Sequence, residues 1–268
     1  MIFLKKKNEI EIMRQGGKIL AEILNEVAKA VKPGITTREL NELAQELIFA
    51  YGAKPAFLGY QDFPAALCTS VNDVIVHAVP KGDKLKEGDI VGLDLGILYP
   101  FKDCAGCFML GNCPPKKKIE GLYTDMAITV PVGKVSKEAQ KLIDVTRQAL
   151  EVGIEQVKPG NHIGDISFAI QQFVEKQGYS VIRSLVGHGV GKKVHEPPQI
   201  PNFGKKGEGE KLKPGMTLAI EPMVAMGGQE LEKIEDGHGF RVKDKSLTAH
   251  FEHTIVVTES GCEILTKI

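Results

Sequence analysis

The sequence predicts an α+β protein of two similar halves, each built of helices followed by antiparallel strands. Three observations predict it. The turn Val31-Lys32-Pro33-Gly34 returns as Val157-Lys158-Pro159-Gly160, 126 positions later. Leu85-Lys86-Glu87-Gly88 before IVGLDLG returns as Leu212-Lys213-Pro214-Gly215 before TLAIEPM, 127 positions later. Carboxylates recur at that same offset of 127, as Asp94 with Glu221 and as Asp125 with Glu252. Self-similarity at a fixed offset is the mark of an internal structural repeat.

Each turn opens a helix. ITTRELNELAQELIFAYG and NHIGDISFAIQQFVEKQG carry apolar residues at three-to-four spacing and run into a glycine. In the first, Thr36 or Thr37 can cap, with Glu39 close behind. The strands follow as short runs of β-branched and aliphatic residues bounded by turn signals. Inside those runs lie the four carboxylates, each costly to bury alone. Single acidic residues on strands are ordinarily explained by an ion pair or an exposed face. Four of them placed symmetrically should repel one another unless a cation compensates.

Two histidines sit in VGHGVGKKVHEPP, with His188 between glycines and His195 seven positions on. Alone they read as loop residues. Beside four carboxylates, His188 completes a set of two Asp, two Glu and one His. Hard oxygen donors with one imidazole suit Mn²⁺, Fe²⁺, Co²⁺ or Zn²⁺. Four carboxylates exceed the need of one divalent ion, which points to a pair of ions and two-metal hydrolysis.

Composition bounds the alternatives. The chain has 268 residues, 43% apolar and 25% charged, as in an ordinary globular protein. Thirty-four basic residues balance 34 acidic ones, which gives no electrostatic case for specific nucleic-acid or membrane binding. No signal peptide is legible at MIFLKKKNEIEIMRQ, and five cysteines are an odd number, so a cytoplasmic protein with reduced thiols is expected.

The segments GLDLG, YTDMA, GHGVGKKVHEPPQI, AIEPMV and HFEHTIVVTESGCEIL, together with NDVIVHAVP, resemble the signatures of the type I methionine aminopeptidases, across essentially the whole chain. That resemblance implies the pita-bread (creatinase/aminopeptidase) fold with two pseudo-twofold-related halves, an antiparallel sheet covered by helices. It implies one catalytic metallopeptidase domain over residues 1–268, which removes methionine from nascent polypeptides when the second residue is small and uncharged. By the same resemblance Asp94 chelates one metal, Asp125 and Glu252 bridge both, and His188 and Glu221 complete the other shell. His77 contacts the substrate near its amino end, and His195 hydrogen-bonds the scissile carbonyl. Phe57, Tyr60, Phe63 and Cys68 wall the methionine pocket. A monomer is implied, with transient proximity to the ribosome.

Two departures stand out. The family's tryptophan near the C-terminal strands is absent, and DGHGFRVKDKSL offers His238 or Phe240 in its place. Asp94 and Asp125 lie 31 apart where about a dozen residues are usual, the excess being an insert at 100–120 that holds Cys104, Cys107 and Cys113. The three thiols read either as a metal knuckle or, preferably, as a plain reduced-thiol loop. Lys116–Lys118 reads as a solvated face rather than a ribosome contact. Whatever lies between, Ile90–Leu98 and Leu122–Val130 should pair so that the two aspartates share metals. The rival readings are a proline-specific aminopeptidase of the same fold and a non-catalytic binding protein disabled by the insert. A type II enzyme would need a large insertion between His188 and Glu221, which are only 33 apart.

Overall fold

The computed structural model describes residues 2–101 and 121–267. Residues 102–120, with the expected thiol loop and its three cysteines, lie outside the described residues.

The repeat appears as matched backbone geometry. Gly34 and Gly160 take φ of 93° and 95°, conformations a side chain would strain. Gly34 N–H donates to the Leu85 carbonyl at 2.8 Å, and Gly160 N–H to the Leu212 carbonyl at 3.2 Å. The returning bonds, Leu85 N–H to Ile35 and Leu212 N–H to Asn161, measure 2.8 and 2.7 Å. Each turn thus clips the start of a helix to the turn that feeds a later strand, Ile90–Tyr99 in the first half and Thr217–Ile220 in the second.

Helix α1 (Lys7–Ala30) and α2 (Thr37–Ala50) belong to the first half, α3 (Lys137–Glu155) and α4 (Ile163–Lys176) to the second. Thr36, not Thr37, caps α2: its hydroxyl accepts from Glu39 N–H, and Glu39 accepts from Thr36 N–H at 2.8 Å. The two largest apolar clusters each serve one pair of helices. One sets Leu20, Leu24, Leu40 and Ile48 against the sheet residues Leu93, Leu95 and Ile97. The other sets Leu142, Leu150, Ile166 and Ile170 against Leu218, Ile220 and Ile255. Ile128 packs on both. No helix among the described residues is long and apolar enough to cross a membrane.

Among the described residues the main sheet has nine strands, paired antiparallel. Its path runs from β1 (Lys54–Pro55) through β4 (Ile90–Tyr99), β5 (Leu122–Pro131), β14 (Glu252–Val257), β9 (Thr217–Ile220) and β7 (Val186–Gly189) to β8 (Glu196–Pro201). Off the path, β2 (Leu67–Val71) pairs with β4 and β15 (Cys262–Ile264) with β14. Two three-stranded sheets complete the fold. One joins β13 (Thr248–His250), β10 (Met223–Ala225) and β6 (Ser180–Val181), the other β11 (Leu231–Lys233), β12 (Phe240–Val242) and β3 (Val74–Val76). The expected β4–β5 pairing is present and one residue longer on each strand, from Ile90 opposite Pro131 to Tyr99 opposite Leu122.

Candidate metal centre

Strand register decides which side chains meet. Residues directly opposite in a ladder share a face, as do residues two apart along a strand. Ala127 on β5 lies opposite Asp94 on β4 and also opposite Glu252 on β14. Asp125 is two residues from Ala127 and so joins the same face. On β9, Ala219 lies opposite both His188 and Thr254, which adds His188 to that face. Glu221 follows β9, two residues past Ala219. Alanines at 127 and 219 leave open the volume between the four carboxylates and the imidazole.

Glycines flank His188 because backbones crowd it. A Cβ at Gly187 would stand 2.5 Å from the Ala219 carbonyl oxygen, and one at Gly189 2.4 Å from that of Pro197. The His188 Nδ1 lies 2.9 Å from the Gly189 carbonyl oxygen, which can only accept. Nδ1 therefore carries the proton, and Nε2 turns a lone pair inward. One ligand atom each from Asp125, His188 and Glu252 lie within 4.8 Å of one another. Asp94 and Glu221 stand beside this trio rather than in it, with Glu221 Oε1 3.6 Å from His188 Nε2.

Electrostatics make the same point. Burial raises every one of these carboxyls, Asp125 to about 7 and Glu221 to about 8, with Asp94 and Glu252 well above the usual range. Repulsion from neighbouring carboxylates adds to burial at Asp94, Asp125 and Glu252. Burial also lowers His188 to about 3, which keeps it neutral. Asp94 Oδ1 and Glu252 Oε1 are buried without a hydrogen-bond partner. Acceptors facing one another with no donor between them fit a hard divalent cation, whose charge would replace the protons the site otherwise retains.

A cavity of about 320 Å³ opens over these residues, and its lining includes all eleven site residues expected from the sequence. Phe57, Phe63 and Cys68 form a buried wall with Tyr60 partly buried against it. His77 sits at φ 61°, a sparsely populated conformation for a non-glycine residue and one that recurs at functional sites. Burial lowers its imidazole to about 4. His195 lies at the mouth, its ring 4.3 Å from that of His188, and its Nδ1 is 2.9 Å from the Tyr60 hydroxyl.

A family model, metallopeptidase family M24, matches residues 11–120 and 116–259. The chain belongs to that family. Within it the chain sits with the methionine aminopeptidases. It is 46% identical over 268 residues to the methionine aminopeptidase of Clostridium perfringens, covering 100% of both. The crystal structure of methionine aminopeptidase from Thermotoga maritima superposes with a TM-score of 0.90 at 45% identity, over 100% of each chain. A prolidase from Pyrococcus horikoshii shares the fold alone, at a TM-score of 0.73 and 22% identity, with 98% of this chain and 63% of that one covered. The pita-bread fold is thus common to aminopeptidase and prolidase structures, and the full-length sequence similarity lies with the aminopeptidases.

The methionine aminopeptidase site of this chain also holds residues the sequence reading passed over. His250 Nε2 lies 3.4 Å from Glu221 Oε2, without hydrogen-bond geometry. It stands two residues before Glu252 in HFEH, so that motif carried the signal. Where the family's tryptophan is missing, both His238 and Phe240 line the cavity. The His238 ring meets Phe63 edge-on at 5.4 Å. The Asp236 carboxylate fixes that rim by accepting from the N–H groups of Val79, His238 and Gly239 at 2.9, 2.9 and 2.8 Å.

Proposed function

We propose that this methionine aminopeptidase acts in the cytoplasm, as a single-domain monomer, on nascent polypeptides whose second residue is small and uncharged. Asp94, Asp125, His188, Glu221 and Glu252 would hold two divalent ions, of Mn²⁺, Fe²⁺, Co²⁺ or Zn²⁺ character by the donor set. Such ions, when bound, supply Lewis-acid activation of the carbonyl and a nucleophilic water at neutral pH. The observation that carries this reading is the convergence of five candidate ligands, two further histidines and an apolar wall on one cavity.

The remaining steps belong to the protein's own side chains. Phe57, Phe63 and Cys68 offer the substrate side chain an apolar, sulfur-lined slot with aromatic edges, which suits a thioether. His77 is half-buried and held neutral, so it can hydrogen-bond near the substrate's amino end without adding charge. When the Tyr60 hydroxyl donates to His195 Nδ1, 2.9 Å away, the imidazole proton lies on Nε2, where it can stabilise the developing oxyanion at the scissile carbonyl.

Release of the N-terminal residue from Met-Ala-Ser, Met-Lys-Ser and Ala-Pro substrates by the metal-reconstituted protein tests the proposal. Cleavage of Met-Ala-Ser alone is expected. Cleavage of Ala-Pro in preference would transfer the chain to the proline-specific reading, and cleavage of Met-Lys-Ser would overturn the small-second-residue rule.

A further inference from the structure

Glu196 opens β8 directly after His195, and the two side chains have different surroundings. His195 lines the cavity. The Glu196 side chain is 1% exposed and meets Lys5, whose own side chain is 1% exposed, with Nζ 2.5 Å from Oε2. The other carboxylate oxygen accepts from the N–H groups of Lys192 and Lys193 at 2.5 and 3.0 Å. Glu196 therefore closes the hairpin loop that leads from His188 to His195, and its remaining oxygen is held by a cation from the amino-terminal segment.

That segment is itself fitted to the loop. Lys5 N–H donates to the Gly215 carbonyl at 2.7 Å. Gly191 takes φ 143°, and a Cβ there would come 2.4 Å from Lys5 Cε. Lys192 Nζ lies 3.4 Å from Glu9 Oε1 and 5.6 Å from the Phe3 ring centre. Residues 3, 5 and 9 thus clasp one six-residue loop. A buried ion pair seldom stabilises a fold better than apolar residues of the same size would. Its use here, one residue from a side chain that must meet a carbonyl within fractions of an ångström, indicates positioning rather than stability.

We propose that Lys5, acting through Glu196, is a positioning residue for the His195 imidazole. The inference rests on the role of His195 proposed above. The test is a double-mutant cycle on a Met-Ala-Ser peptide with the full-length, metal-loaded enzyme. Lys5→Met should lower kcat by about 10- to 100-fold, with KM and bound metal unchanged. Lys5→Arg should recover most of the rate. In a His195→Ala background, Lys5→Met should cost no further rate, because the group it positions is gone.

An equal loss from Lys5→Met in both backgrounds would overturn this inference and leave the His195 reading standing. A normal kcat in folded Lys5→Met protein would overturn it as well. An unimpaired His195→Ala enzyme would overturn the His195 reading and this inference with it. Should Lys5→Met fail to fold, Glu196→Gln keeps an acceptor for the two loop N–H groups, removes the charge pair, and passes through the same cycle.

Discussion

Thr254 and Asp125 hold each other by a reciprocal pair of hydrogen bonds. Asp125 N–H donates to Thr254 Oγ1 at 2.9 Å, and the same hydroxyl donates to the Asp125 carbonyl oxygen at 2.8 Å. Thr129 and His250 do likewise, with both distances at 2.9 Å. Backbone pairing between β5 and β14 covers only Ala127 with Glu252 and Met126 with His253. Two threonine hydroxyls therefore take over where the ladder lapses, one on each side of it. The first binds the two strands that carry Asp125 and Glu252, and the second ties β5 to the end of β13, two residues before Glu252.

Thr254→Val should leave the buried Asp125 N–H without an acceptor, at a cost of about 1–3 kcal/mol. Thr254→Ser should stay close to the parent. Denaturant unfolding in the presence of chelator reads this term without a metal contribution, and an unchanged midpoint for Thr254→Val would show that the hydroxyl is dispensable.

Removing one buried carboxylate should act in opposite directions with and without metal. Glu252→Gln relieves repulsion, so the chelated variant should melt above the chelated parent. The parent should gain stability on adding metal, by roughly 2.7 kcal/mol at a hundredfold excess over Kd, and the variant should gain far less. Thermal melts with and without Mn²⁺ or Co²⁺, beside bound-metal analysis, measure both effects. Full activity in Glu252→Ala would refute its assignment as a ligand.

His195→Ala should keep its metal and lose about 10²- to 10³-fold in kcat, the usual cost of one oxyanion donor. Peptide kinetics alongside metal content separate the two outcomes. Loss of metal in this variant would mean that the roles of His188 and His195 have been exchanged.

Gly96 lies opposite Asp125 in the β4–β5 ladder. A Cβ there would stand 2.9 Å from Phe57 Cε1, 3.0 Å from Ala56 Cβ and 3.2 Å from Asp125 Oδ1. Gly96→Ala should thus disturb the proposed ligand Asp125 and the pocket wall together, weakening metal affinity and raising KM. Titration with metal followed by peptide kinetics would detect both, and normal values would show that the wall yields freely.

The repeated turns, the capped helices, the four carboxylates and His188 were legible in the chain itself, because each depends on local pattern or on a constant offset between two halves. Asp94 is nine residues past Leu85, and Glu221 nine past Leu212, so one rule finds both. Tertiary structure alone decided what depends on strand register and on contacts between distant segments. Ala127 becomes the gap between Asp94 and Glu252 only when β4, β5 and β14 align. Lys5 meets Glu196 across 191 positions, and Asp125 meets Thr254 across 129. No periodicity encodes such pairs. A lysine in a charged run and a threonine in a strand look like ordinary surface and sheet residues until folding brings their partners to them. The sequence by itself thus determined the family and the candidate groups that line one cavity, and the packing of distant strands decided how they are held.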